Sequence, residues 1–212
     1  MTDPHTRQYS HIGGTPAELL DRLAVSELCK GWPTTWSGAQ PIDDFIRISI
    51  KGKKMGAFIM HRECGTLVEL NPAANRAVGK MKATITQRFR HRDGFEYDVD
   101  CDCRFIFFCK KEGIDDGGDG HGRRDWKAAY VKLVYEKDKV VPVDGTSAPV
   151  FADNVLARYP TGYKYLGAAQ STLGYDIDIK LVTGQDLGSC EKMYRSIERW
   201  LAGEQGTVGL FG

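Results

Sequence analysis

Between Asn75 and Val143 apolar and polar side chains alternate in three long runs, the period of half-buried β-strands. In the first, Ala77 to Phe89, Met81, Ala83, Ile85 and Phe89 fall on one face and Lys80, Lys82, Thr84, Thr86 and Arg88 on the other. The second follows the turn His91-Arg92-Asp93-Gly94 and sets Phe95, Tyr97, Val99, Cys101, Cys103, Phe105 and Phe107 against Glu96, Asp98, Asp100, Asp102 and Arg104. From Arg104 to Cys109 the alternation gives way to an apolar run, which predicts cover on both faces there. The third run, Trp126 to Val143, follows a loop of Gly and Asp. Sequential strands joined by such turns are antiparallel neighbours.

Two helical patterns precede the strands. Thr15-Pro16-Ala17-Glu18 is a capping box with Pro at the first helical position, after which Leu19, Leu20, Leu23, Ala24 and Leu28 recur at helical spacing. That helix stops near Gly31-Trp32-Pro33. A second runs from Pro41 or Ile42 to about Lys54, with Asp43 and Asp44 in its first turn and three lysines in its last, a charge order that suits the helix dipole. Near the other end, Asn154 to Tyr165 is mixed and Gly174 to Leu181 is short and alternating. Ser189 to Ala202 reads as a helix with Cys190, Met193, Tyr194, Ile197, Trp200 and Leu201 on one stripe and Gly203 at its C-cap.

Composition narrows the class. At 212 residues and 42% hydrophobic the chain is long enough for one domain with a real core, and a formal charge of +1 argues against a nucleic-acid binder. The six cysteines sit in apolar or strand positions and read as reduced core residues, not a disulfide set. The start, Met1-Thr2-Asp3-Pro4-His5, lacks a signal pattern, and no apolar run approaches the length that spans a bilayer. These features predict a cytosolic protein that binds neither nucleic acid nor membrane.

The order of helix, helix and bent sheet, with Asp21-Arg22-Leu23-Ala24-Val25-Ser26-Glu27-Leu28, Trp36-Ser37-Gly38 before Ile42-Asp43-Asp44-Phe45, the His61 to Thr66 segment and Asp125-Trp126-Lys127, resembles the SnoaL-like branch of the nuclear transport factor 2-like superfamily. The likeness covers most of residues 15 to 203, and each of its motifs is weak alone. It implies an α+β fold, a cone-shaped, strongly curved antiparallel sheet with N-terminal helices over its concave face and a C-terminal helical extension. Residues 1–14 are expected to form a disordered N-terminus, 15–145 the SnoaL-like domain and 146–212 the extension.

Enzymes of this type, scytalone dehydratase and polyketide cyclases among them, abstract an acidic proton with a histidine at the position matching His61. The resemblance thus implies a cofactor-independent dehydratase, cyclase or isomerase acting on a small aromatic or polyketide-like molecule, with His61 as its base and no metal. The chemistry asks for an imidazole with a near-neutral pKa in an apolar cavity, held by an acceptor that fixes its tautomer. Trp36, Met60, Tyr97, Cys103 and Tyr130 are the expected substrate contacts. In the family the acceptor is an aspartate beyond the first helix, but here Trp32-Pro33-Thr34-Thr35-Trp36 runs straight from the helix end into the next turn. A helix and a strand, about twenty residues at ordinary element lengths, are missing there. Natural loss and an omitted coding segment compete, and family-like sequence on both sides of the junction favours the second. Glu27, Asp43 and Glu63 are substitutes for the acceptor, and spacing selects none of them. The alternative function is a non-catalytic cavity protein that binds a hydrophobic ligand or a protein partner.

Blander readings stand beside several of these residues. Cys101-x-Cys103, taken with His61 or Cys64, has the elements of a zinc site, yet neighbouring core thiols are the simpler reading. His91 and His121 lie in turn or loop sequence, and the Asp115 to Asp119 cluster lacks the ligand order of a calcium loop. Arg88 and Arg104 are expected to pair with Glu96, Asp98 or Asp102 across strands. Finally, the doubly apolar Ile106 to Phe108 predicts a homodimer through an exposed sheet face.

Overall fold

A computed structural model describes residues 14–30, 42–54, 56–113 and 124–204. It is an α+β fold built on one curved, four-stranded antiparallel sheet in the order β1-β2-β3-β4, formed by Phe58–Asn71, Arg76–Arg90, Glu96–Gly113 and Arg124–Pro142. The described helices are α1 (Pro16–Lys30), α2 (Ile42–Lys54), α3 (Asp153–Leu156), α4 (Lys164–Ser171) and α5 (Leu187–Leu201). The expectations for residues 1–13, Trp36, the 115–119 loop, His121 and the 205–212 tail lie outside the described residues.

The three alternating runs become β2, β3 and β4. The strand that alternation did not predict is β1, which carries His61. It is an edge strand, so much of it is exposed on both sides, and a register shift between Glu63 and Thr66, where Gly65 takes a φ of 117°, breaks its period. The turn between β2 and β3 closes as expected, with Gly94 at positive φ and the His91 N–H donating to the Phe95 carbonyl at 2.8 Å.

Both faces of β3 are covered where the sequence turns continuously apolar. On the front face Phe105 and Phe107 join Met81, Ile85, Tyr135, Tyr163 and Leu166 in the main core, beneath α1 and α4. On the back, Ile106 and Phe108 pack with Val78, Val134, Met193, Ile197 and Trp200 of α5. The Trp200 indole N–H bridges the carbonyls of Ala77 and Cys109, each at 3.1 Å, which fixes α5 across β2 and β3. The exposed patch that predicted a dimer is therefore absent: Ile106 is 4% and Phe108 0% exposed, covered by the chain's own last helix. Asp186 caps that helix by accepting from the Ser189 N–H at 3.1 Å, and Gly203 follows it at positive φ.

The first helix begins as its capping box predicts, with the Thr15 N–H donating to Glu18 Oε2 at 2.5 Å and the Glu18 N–H to Thr15 Oγ1 at 3.3 Å. It seats on the sheet with Leu28 of the expected stripe packed at the core and Leu19, Leu20 and Leu23 turned away. Val25 and Cys29 are fully buried, Arg22 donates to the Val68 carbonyl, and Asp21 accepts from Lys111 at 2.7 Å and from the Trp126 indole at 3.0 Å. These polar anchors decide which side faces the sheet, and Leu19, Leu20 and Leu23 are left outside. Of the two N-terminal helices α1 packs on the sheet; among the described residues α2 makes at most marginal contact with other elements.

The close approach of α1 depends on Gly79, because a Cβ there would overlap Cys29 Sγ. Cys29 is fully buried and its short side chain has no room to turn away. Gly79→Ala should destabilise the fold by about 1–3 kcal/mol, the usual scale for overpacking. Cys29→Ala in the same chain should recover part of that loss. Urea midpoints that show simple additivity would contradict this seating of α1.

Candidate functional site

The antiparallel register lines up the front face in rows. One row runs His61, Ile85, Cys101, Asp138 from edge to edge, and the next runs Glu63, Ala83, Cys103, Tyr135. His61 is half-buried, with its ring edge-on to Phe105 at a centroid distance of 5.9 Å. Burial lowers its pKa below the ordinary histidine value, because a low-dielectric surrounding disfavours the imidazolium. The neutral ring that results at pH 7 is the form that accepts a proton.

Among the expected contacts, Tyr97 and Cys103 share this face. Tyr97 is 3% exposed, stacked on Phe89 at 5.5 Å, and its phenol pKa is raised by burial. It lies four residues along β3 from Cys101, on the order of 13 Å, so it is remote from the atom that His61 touches. Cys103 donates its thiol to the Ala83 carbonyl at 3.4 Å, and burial pushes its pKa up to about 12, so it is an inert core thiol. Two of the expected contacts lie away from His61. Met60 points to the opposite side of β1 from His61, as strand alternation requires, and is 40% exposed. Tyr130 pairs opposite Phe108 and packs edge-on to Trp200 at 5.8 Å, on the back face beneath α5. Trp36 falls outside the described residues.

The substitute acceptors separate in the same way. Glu27 is exposed and pairs with Lys30 at 2.8 Å, and Asp43 is exposed on α2. Glu63 sits two residues from His61 on the same face of β1 and accepts from Thr66 Oγ1 at 2.6 Å. The arginines are paired: Arg88 with Asp98 at 2.7 Å and with Glu96 at 3.7 Å, and Arg104 with Glu136 at 2.7 Å instead of Asp102. All six cysteines are free; Cys64 is exposed and Cys190 half-buried, so four, not six, lie in the core.

A carboxylate that sequence reading passed over lies at the far end of the histidine's row. Asp138 accepts the Leu166 N–H at 2.8 Å beside the start of α4, while its Oδ1 is buried without a hydrogen bond. Burial raises its pKa to about 6, against the opposing pull of backbone N–H groups and Lys164. Three strand spacings, on the order of 14 Å, separate it from His61, so it does not fix that tautomer directly. Lys137-Asp138-Lys139 looks like solvated sequence. A register shift between Asp102 and Cys103 adds a residue to β4 and turns Asp138 inward, and nothing in the alternation announces that shift. Gln87 was more legible, a polar residue in an apolar slot between Ile85 and Phe89; it is 2% exposed and accepts from Gln170 of α4.

A separate groove of about 570 Å³ runs past the turn between β1 and β2, lined by Asn71, Asn75, Arg76, Lys111 and Gly203 among others. Its amides and cations offer no base for proton abstraction. No described helix is long and apolar enough to cross a membrane.

Among the described residues the geometry defines a small curved sheet with a desolvated imidazole, His61, on its covered face. No family model matches the chain. It is 38% identical to a PEP2-like protein of Fusarium vanettenii, over 88% of each chain, and 37% identical to pea pathogenicity protein 2 of the same organism, over 91% of this chain and 90% of that one. An uncharacterized protein of Emericella nidulans is 41% identical over 75% of this chain and 74% of its own length. The chain belongs to the family of PEP2-like proteins. The first alignment spans 216 positions, whereas 88% of 212 residues is about 187, so about 29 positions are filled in the relative alone.

Asp138 yields a pH test. Its folded pKa lies above the ordinary carboxylate value of 3.8, so folding favours the protonated form. That contribution is full below about pH 4 and is lost as pH rises to about 6. Asp138→Asn keeps an acceptor for Leu166 without the charge. Its unfolding midpoint should therefore gain on the parent between pH 4 and pH 7, and a pH-independent difference would contradict the assignment.

Proposed function

We propose that the protein is a cofactor-independent dehydratase, cyclase or isomerase for a small aromatic or polyketide-like molecule, with His61 as the proton-abstracting base. The observation that supports it most directly is the half-buried imidazole on the covered front face, kept neutral by desolvation against Phe105. An imidazole whose pKa is lowered by burial is mostly unprotonated at physiological pH, and it is the neutral form that takes a proton from a carbon acidified by a neighbouring carbonyl. The substrate's own carbonyl carries the developing charge, so the step needs no metal. Of the substitute acceptors, Glu63 is the one on the same strand face as His61, two residues away. Free thiols throughout suit a reducing, cytosolic setting.

A second reading has its own support. The row from His61 to Asp138 is closed in its middle by buried side chains, and the relatives fill about 29 positions that this chain lacks. A front face closed in its middle by buried side chains suits a protein that binds a hydrophobic ligand or partner without turning it over.

Proton abstraction by a desolvated base can be read with 5-nitrobenzisoxazole, whose ring opens when a base removes its C–H proton. The chain should accelerate this opening with a pH profile that rises through the lowered pKa of His61. His61→Ala should reduce the rate about a hundredfold, the scale of a positioned general base, with the fold intact. A rate indifferent to His61 would remove the enzymatic reading and leave the binder. In that case His61→Ala should only lower stability, by roughly 1–3 kcal/mol.

A further inference from the structure

The turn from β1 to β2 and the end of α5 enclose the groove of about 570 Å³. It opens at Asn71, ten residues along β1 from His61 and on the order of 30 Å away, so it is separate from the front-face site. Its volume falls in the roughly 300–1,000 Å³ range of small-molecule sites. A water molecule's share of the liquid is about 30 Å³, so there is room for a molecule of many atoms.

The walls are held by the chain's own hydrogen bonds. Asn71 ties the turn to the helix: its side-chain amide donates to the Leu201 carbonyl at 2.8 Å, while its Oδ1 accepts from the Ala74 N–H at 3.3 Å. Asn75, at a φ of 52°, turns its carbonyl to the Lys111 N–H at 3.1 Å and so joins the turn to β3. A helix C-terminus is ordinarily a poor place for an anion. Here the last carbonyls of α5 are occupied, since Glu198, Arg199, Trp200 and Leu201 accept from Ala202, Glu204, Gly203 and Asn71 respectively.

Arg76 supplies the charge. Its guanidinium lies 4.7 Å over the Trp200 ring, and its Nη1 donates to the Asn75 carbonyl at 3.4 Å. Its Nε is buried without a hydrogen bond, and among the described residues no carboxylate lies within ion-pair distance of it. Neighbouring charges are already matched: Lys111 pairs with Asp21 at 2.7 Å, and Glu112 pairs with Lys110 and, at 3.8 Å, with Lys127. A guanidinium fixed by stacking, with donors to spare, is suited to a planar or tetrahedral oxyanion. The Asn75 side-chain amide, which has no partner among the described residues, adds a neutral donor beside it. Ala73, Ala74 and Ala202 contribute short apolar surface to the same groove.

We propose that this groove binds a small organic anion, a carboxylic acid or a phosphate ester, with its oxyanion on Arg76 and Asn75 and its carbon skeleton along the alanines. The assignment is independent of the role given to His61.

Isothermal titration of the full chain with citrate, glycerol 3-phosphate and inorganic phosphate, at constant ionic strength, tests this. Citrate or glycerol 3-phosphate should bind saturably and about tenfold or more tighter than inorganic phosphate, and whichever binds identifies the anionic head. Arg76→Gln should weaken that binding about tenfold or more, the scale of a hydrogen bond to a charged group. Because Arg76 also stacks on the tryptophan that anchors α5, Ala73→Glu provides an independent variant at an exposed position. Its carboxylate should weaken binding to a similar degree while the unfolding midpoint stays at the parent's value, and it decides the matter if Arg76→Gln does not fold. His61→Ala should leave the affinity unchanged. Three results would overturn the proposal: no saturable binding of either organic anion, inorganic phosphate bound as tightly as both, or an affinity indifferent to Ala73→Glu. Loss of binding in His61→Ala would also overturn it, because the anion would then sit on the front face.

Discussion

The fold turns on the two-sided burial of β3. From Phe105 to Phe108 successive side chains point to opposite faces and all are apolar, so neither face of the sheet can stay wet there. Each of these side chains contributes about 1.5–3 kcal/mol when buried, which makes this stretch a large source of stability. Covering the back requires α5, whose Trp200 ties β2 and β3 together through its indole N–H. Covering the front requires α1 and α4. The helices therefore occupy the faces that β3 dictates, and the remaining edge strand, β1, is where a polar functional side chain can be half-buried.

That arrangement gives His61 its character. On an exposed edge it would be an ordinary histidine, and in the middle of the sheet it would be sealed away. Beside Phe105 it is desolvated enough to stay neutral and still lies near the rim. At the other rim, Asp138 is held by the backbone of α4 and is half-titrated near pH 6. The two groups bound the same row of the front face, one basic and one acidic, with apolar side chains between them.

Much of this was legible from alternation. The sequence predicted β2, β3 and β4, the doubly covered stretch, the capping box of α1, the limits of α2 and the last helix with its Gly203 cap. It misplaced what depends on neighbours outside the pattern. The leucine stripe of α1 read as its buried face, but Asp21 and Arg22, through polar partners on distant strands, turn the helix so that Leu28 packs inward while Leu19, Leu20 and Leu23 face out. Ile106 and Phe108 read as an interface between molecules until α5 covered them. Met60 and Tyr130 each lie on the opposite face of the sheet from His61, which alternation alone did not place. Asp138 was hidden by an added residue in β4, which shifts the register without altering composition.

The account stands on His61 being neutral because it is buried. The direct measurement is an NMR titration of the histidine ring protons, with His61→Gln to assign the resonance. His61 should titrate with a pKa below the ordinary histidine value of 6.5. A value for His61 at or above 6.5 would contradict it, since a solvated or carboxylate-paired imidazole would be substantially charged where the proposed chemistry needs it neutral.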